Sequence, residues 1–228
     1  MKSQKSRATT PENSSGSASE KAAPPASLSY RYKDALYLNI TAKCPTACEF
    51  CIKFSWNYRY RSHNLLLKKE PTAREILDSA GDPSKYSEIV FCGYGESTYR
   101  LAEMKEISRE LRKKGARKIR LNTIGLGNLI NGRNIAPELA QIVDVVSISL
   151  NTTDPDHWAK IHRPLPEFRK EGFESVLSFI RECSKTLPAT FVTAVVSVEK
   201  DMEKFESFVK GLGANVRFRP YLDEYESS

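Results

Sequence analysis

The sequence is short of cysteine, histidine and long apolar runs. Five cysteines in 228 residues, an odd number, do not suit a disulfide framework. No apolar run approaches the ~20 residues that a membrane-spanning helix needs. The first 30 residues contain no apolar h-region, so no secretory signal is expected. A transit peptide is also disfavoured, because Glu12 and Glu20 interrupt the Ser- and Ala-rich start around Arg7. These absences predict a cytoplasmic protein with reduced thiols. Acid is missing from one place in particular. Segment 53–69 carries Lys53, Arg59, Arg61, Lys68 and Lys69 with no Asp or Glu, and so holds +5 of the net +7. The excess charge is local and marks a site rather than bulk solubility.

What is present suits one globular domain, since hydrophobic residues make up 40% of the chain. Residues 1–29 are rich in Ser, Ala, Pro and Lys. They cannot bury enough surface to offset chain entropy, so a disordered tail is expected there, with the folded domain over 30–228. Six β-rich runs follow, at 35–40, 88–92, 118–122, 143–150, 189–198 and 215–220. Helical patterns lie between them, at 72–80, 101–114, 137–142, 172–185 and 200–212. The first of these has Thr72 and Glu75 at capping-box spacing. The alternation predicts an α/β fold with a parallel sheet covered on both faces. Two arrangements fit: a doubly wound open sheet, or a partial (β/α)6 barrel resembling a TIM barrel. Both place chemistry at the C-terminal ends of the strands.

After the first run, Cys44, Cys48 and Cys51 stand at C-x3-C-x2-C spacing. Three thiolates on one loop read as a metal site. Iron–sulfur cubanes normally take four protein ligands, so a triplet leaves one iron open to an external chelator. A zinc site completed by His63 is the competing reading. After the second run, Gly93, Tyr94, Gly95 and Glu96 form a glycine-rich turn whose backbone can approach a ligand closely. Later runs end in small polar residues, Asn122 and Ser149. Cys92 and Cys183 are expected to pack in the core. Arg219 either faces the site or caps the barrel, and His162 with Arg163 reads as a surface loop pair.

The loop from Cys44 to Cys51, with Phe50 just before the third Cys, resembles the signature of the radical S-adenosylmethionine (radical SAM) superfamily. Gly93 to Glu96 resembles that family's G-x-G-E-P motif, with Ser97 where Pro is usual. The resemblance implies a 4Fe–4S cluster on the three Cys and S-adenosylmethionine chelating the open iron. It also implies reductive cleavage to a 5′-deoxyadenosyl radical, in an oxidoreductase or lyase. It gives Phe50, Gly93, Tyr94, Gly95 and Glu96 to the cofactor, with the Glu96 carboxylate on the ammonium and with Asn122 and Ser149 on the ribose and carboxylate. The implied electron donor is ferredoxin or flavodoxin. Segments 38–44 and 56–61 are most similar to the radical proteins found alongside TatD-type nucleases. Glycyl-radical activating enzymes and carboxy-deazaguanine synthases are similar in size and stand as alternative relatives, the first of which implies a glycyl-radical partner protein. A single cluster is expected, because too few cysteines remain for a second.

In segment 53–69, Trp56, Tyr58 and Tyr60 interleave with Arg59 and Arg61. If extended, the stretch presents its rings on one side and its guanidinium groups on the other. That pattern suits a nucleotide or nucleic-acid substrate. The alternative from another class is a zinc-stabilised nucleic-acid-binding module.

Overall fold

The computed structural model describes residues 25–196, 198 and 201–220. Most of the expected tail, 1–29, lies outside the described residues, as do 197 of the expected fifth run, 200 of the expected last helix, and 199 between them. The chain opens with β1 (Ser29–Tyr32) and β2 (Ala35–Leu38), then α1 (Ile52–Ser55) and the small strands β3 (Arg59–Tyr60) and β4 (His63–Asn64). Next come α2 (Ala73–Ala80), β5 (Glu88–Phe91), α3 (Leu101–Lys113), β6 (Ile119–Thr123), α4 (Gly127–Asn131), α5 (Ala136–Leu139) and β7 (Val145–Ser149). The last elements are α6 (Pro155–His162), α7 (Pro166–Arg169), α8 (Gly172–Thr186), β8 (Ala189–Val195), α9 (Met202–Gly211) and β9 (Asn215–Arg219).

Seven strands form one sheet in the order β1-β2-β5-β6-β7-β8-β9. From β2 to β9 every pairing is parallel, which gives the six expected strands of a partial barrel. Only β1 runs antiparallel, with Tyr30 opposite Tyr37. It covers the edge that β2 would otherwise expose. Period-2 alternation sorts the strand residues. Leu121, Ile148, Val192 and Ala194 join the core beneath the helices. Tyr37, Glu88, Arg120, Asn122 and Ser149, all half-buried, occupy the alternate positions and line the inner face.

The helices follow their sequence signals. Thr72 caps α2 by accepting from the Glu75 N–H at 3.1 Å, while Glu75 accepts from the Thr72 N–H at 2.7 Å. In α8, Val176, Leu177, Phe179, Ile180 and Cys183 are buried against the sheet, so Cys183 is a core residue. Among the described residues no helix is long and apolar enough to cross a membrane.

Candidate cofactor site at the strand ends

The loop that follows β2 carries the three thiols, and two neighbours hold its shape. One is the segment after β7. Ala47 N–H donates to Arg163 O at 3.1 Å, Glu49 N–H to Ile161 O at 2.9 Å, and Leu165 N–H to Pro45 O at 2.9 Å. The other is the glycine turn after β5. Glu96 N–H donates to Lys43 O at 2.7 Å. A Cβ on Gly95 would lie 2.3 Å from Thr41 O and 2.6 Å from Lys43 O, both backbone atoms. Only glycine lets the two loops meet this closely.

Within the loop, Thr46 Oγ1 lies 3.6 Å from Cys44 Sγ and 3.2 Å from Cys48 Sγ. Burial pushes the Cys48 thiol up to about 12, and raises Cys44 as well. Burial disfavours a bare thiolate at these sulfurs, which suits a cationic partner such as iron. Soft, half-buried sulfurs on one loop, pressed against a glycine cradle, fit an iron–sulfur ligand set. Among the described residues no three His, Cys, Asp or Glu side chains converge on a single ion. His63, the fourth ligand of the zinc reading, instead packs against the Tyr30 ring at 5.5 Å.

The imidazole beside the thiols is His162, and the expected surface position for it is corrected. It is the last residue of α6 and is 0% exposed. Its Nδ1 lies 3.3 Å from Cys48 Sγ. Trp158 packs on the ring at 5.1 Å, and Phe50 meets it edge-on at 5.2 Å and 89°. Burial lowers its pKa to about 4, so the ring is neutral. The signal in the sequence was Asp154–Pro155 followed by Trp158, Ile161 and His162, an N-cap, a Pro at N1 and one helical face.

Glu96, which the resemblance gives to the ammonium group, is buried at 3% exposure. Its carboxylate is turned inward and takes four donors: Thr98 N–H at 3.1 Å, Thr98 Oγ1 at 2.8 Å, Thr123 Oγ1 at 2.9 Å and Ile124 N–H at 2.8 Å. A carboxylate has about four acceptor sites, and in this structure these four donors occupy them. By contrast, no described hydrogen bond lands on the carbonyls of Gly93 or Gly95. Burial still raises the Glu96 pKa.

Asn122 and Ser149 both stand at strand ends on the inner face. Arg120 donates to Asn122 Oδ1 at 2.5 Å and is held by Glu88 at 2.6 Å. Arg219 donates to Ser149 Oγ at 3.4 Å, so it faces this site. Arg217 lies over the Phe191 ring at 4.4 Å. Among the described residues neither Arg217 nor Arg219 has a carboxylate partner.

The basic aromatic segment is not extended. It forms α1 and a tight hairpin, with left-handed backbone at Asn57, Tyr58 and Arg61 (φ 47°, 59° and 52°). The expected division of rings from guanidinium groups is therefore lost. Trp56 stacks on Tyr60 at 5.9 Å, and Tyr60 packs on Tyr30 and Tyr32. Arg61 lies over the Tyr32 ring at 5.3 Å. Arg59 is exposed, and its carbonyl accepts from Tyr94 Oη at 2.5 Å. The rings mostly pack on one another over β1, while Tyr58 packs edge-on to Tyr94 at 6.1 Å.

A family model described as Radical SAM superfamily matches residues 38–210. The tungsten-containing aldehyde ferredoxin oxidoreductase cofactor-modifying protein of Pyrococcus furiosus is 27% identical over 190 residues, covering 79% of this chain and 49% of that protein. The chain thus spans about half the length of this curated relative. Among solved structures, Streptococcus suis SuiB bound to precursor peptide SuiA matches with a TM-score of 0.58 at 15% identity, over 83% of this chain and 40% of that one. The FeFe-hydrogenase maturase HydG from Carboxydothermus hydrogenoformans matches at 0.50 and 17% identity, over 71% and 35%. At these identities the structures share the fold.

Proposed function

The chain belongs to the radical SAM superfamily and is an enzyme, and from that premise we propose that Cys44, Cys48 and Cys51 hold a 4Fe–4S cluster whose open iron takes S-adenosylmethionine. The observation that carries this reading is the contact between two loops. The thiol loop and the glycine turn touch at Gly95, so an iron site and a backbone cradle share one wall. When bound, the cluster supplies the electron that cleaves S-adenosylmethionine to methionine and a 5′-deoxyadenosyl radical.

The chain's own residues bind and orient the cofactor. The carbonyls of Gly93 and Gly95 accept from the ammonium group, and Glu96 acts by holding their turn against β6. Asn122 and Ser149 face the ribose and carboxylate from the inner face, and Phe50 with Tyr94 closes the site at its sides. A small low-potential protein, ferredoxin or flavodoxin, delivers the electron in the cytoplasm.

The substrate we propose is anionic. Arg217 and Arg219 reach the inner face without a carboxylate partner among the described residues, which suits a phosphate or carboxylate. A nucleotide or nucleic acid remains the class proposed. It rests on these two arginines more than on Trp56, Tyr58, Arg59 and Arg61. The TatD-associated grouping rests on segments 38–44 and 56–61 alone.

Anaerobic reconstitution of the full chain tests the reading. The expected product has about four irons and four sulfides per chain, a visible band bleached by dithionite, and 5′-deoxyadenosine formed on reduction with S-adenosylmethionine. Cys48→Ala should lose the nucleoside, whereas Cys92→Ala and Cys183→Ala should keep the iron. Stoichiometric zinc without colour would sink the proposal.

A further inference from the structure

The Cys48 sulfur is served by a chain of buried hydrogen-bonding groups that runs across the barrel. Asn151, 0% exposed, follows β7 with a left-handed backbone at φ 65°. Its Oδ1 accepts from the Val195 N–H of β8 at 3.1 Å, which fixes which way the amide points. The Nδ2 group then faces His162 Nε2 at 3.3 Å. At the far side of the ring, Nδ1 faces Cys48 Sγ at 3.3 Å. Leu150 O also lies 3.2 Å from Nε2.

Each ring nitrogen of His162 has a partner within reach, so a single ring N–H can sit on either one. If Cys48 is a thiol, its S–H donates to Nδ1 and the ring N–H at Nε2 donates to Leu150 O. If Cys48 is a thiolate ligand, Nδ1 must carry the proton to avoid setting a lone pair against the sulfur. Nε2 then accepts from Asn151 Nδ2, which is already in position. The site thus offers a partner for either tautomer, and ligation at sulfur selects between them.

We propose that His162 is a positioning residue for the iron ligand Cys48, donating Nδ1–H to its sulfur and thereby raising the reduction potential of the cluster. The inference rests on the ligand set proposed above. A donor to a ligating sulfur stabilises the more negative, reduced state, so its removal lowers the potential. Trp158 and Phe50 hold the ring in place and keep water from competing.

Two measurements on the anaerobically reconstituted full chain decide it. The first is the cluster's midpoint potential, from an EPR-monitored redox titration. In His162→Phe the ratio of reduced to oxidised cluster at a fixed solution potential should fall about tenfold, which for one electron is 59 mV. An unchanged or higher potential at full iron content overturns the inference. The second works on the unmutated chain labelled with 15N-histidine, and so does not depend on the variant's folding. The reduced cluster should show a weak 15N coupling and an exchangeable proton, retained in His63→Gln and His157→Gln. No coupling, or a strong one marking direct ligation, overturns it. A chain that holds no cluster overturns the ligand proposal itself. A chain with a cluster but no coupling overturns only the role of His162.

Discussion

The carboxylate of Glu96 accepts from the hydroxyl of Thr123 at 2.9 Å, so the turn after one strand is anchored to the end of the next. With the Ile124 N–H and both Thr98 donors, the carboxylate ties the glycine turn to the end of β6. Glu96→Gln places an NH2 group against at least one of these donors. The expected cost is about 2–3 kcal/mol of stability, read as a lower urea midpoint in the metal-free chain. If Glu96 instead took the ammonium directly, affinity for S-adenosylmethionine would collapse while stability barely changed.

Gly95→Ala separates close approach from backbone freedom. Its Cβ meets two backbone carbonyls at 2.3 and 2.6 Å, so the thiol loop and the glycine turn must part. Binding of S-adenosylmethionine to the reconstituted chain, measured by anaerobic equilibrium dialysis, should weaken at least about tenfold. Gly132 has φ +62° and nothing within 4 Å. Gly132→Ala should cost about 1–2 kcal/mol of stability and leave that binding unchanged.

Glu75 gives a pH signature at α2. Its carboxyl is lowered from 4.5 to about 2 by the Thr72 N–H first, then by Lys69 and the Thr72 hydroxyl. A depressed carboxyl contributes stability that is complete above its unfolded value and is lost as pH falls through the folded one. The gap in urea midpoint between the parent chain and Glu75→Gln should therefore be constant above pH 4.5 and close as pH falls towards 2. A gap that widens with acid would contradict this.

The parallel strands were legible because both of their faces are covered, so they read as apolar runs bounded by turn signals. The thiol loop and glycine turn were legible because chemistry fixes their residue types and spacing. Four features were not. β1 is a four-residue strand on the edge, too short for its alternation to stand out. The hairpin at 59–64 depends on left-handed backbone at non-glycine residues, which tertiary contacts impose and propensity does not reveal. The third was the histidine beside Cys48. His63 is nearer in sequence, yet the fold brings His162, 114 positions away, to the sulfur. The burial of the Glu96 carboxylate was hidden in the same way, since all four of its donors depend on where Thr98 and the end of β6 come to rest.

The clamp between the thiol loop and residues 161–165 also carries a consequence for timing. Ala47, Glu49 and Pro45 take their hydrogen-bonding partners from a segment more than a hundred residues further along the chain. Folding during synthesis proceeds from the N-terminus, so the three sulfurs leave the ribosome long before the strands and helix that shape their loop. Until Leu165 has emerged, the nascent chain presents loose, oxidisable thiols. On the ligand set proposed above, metal loading is expected to follow the emergence of Leu165 rather than precede it.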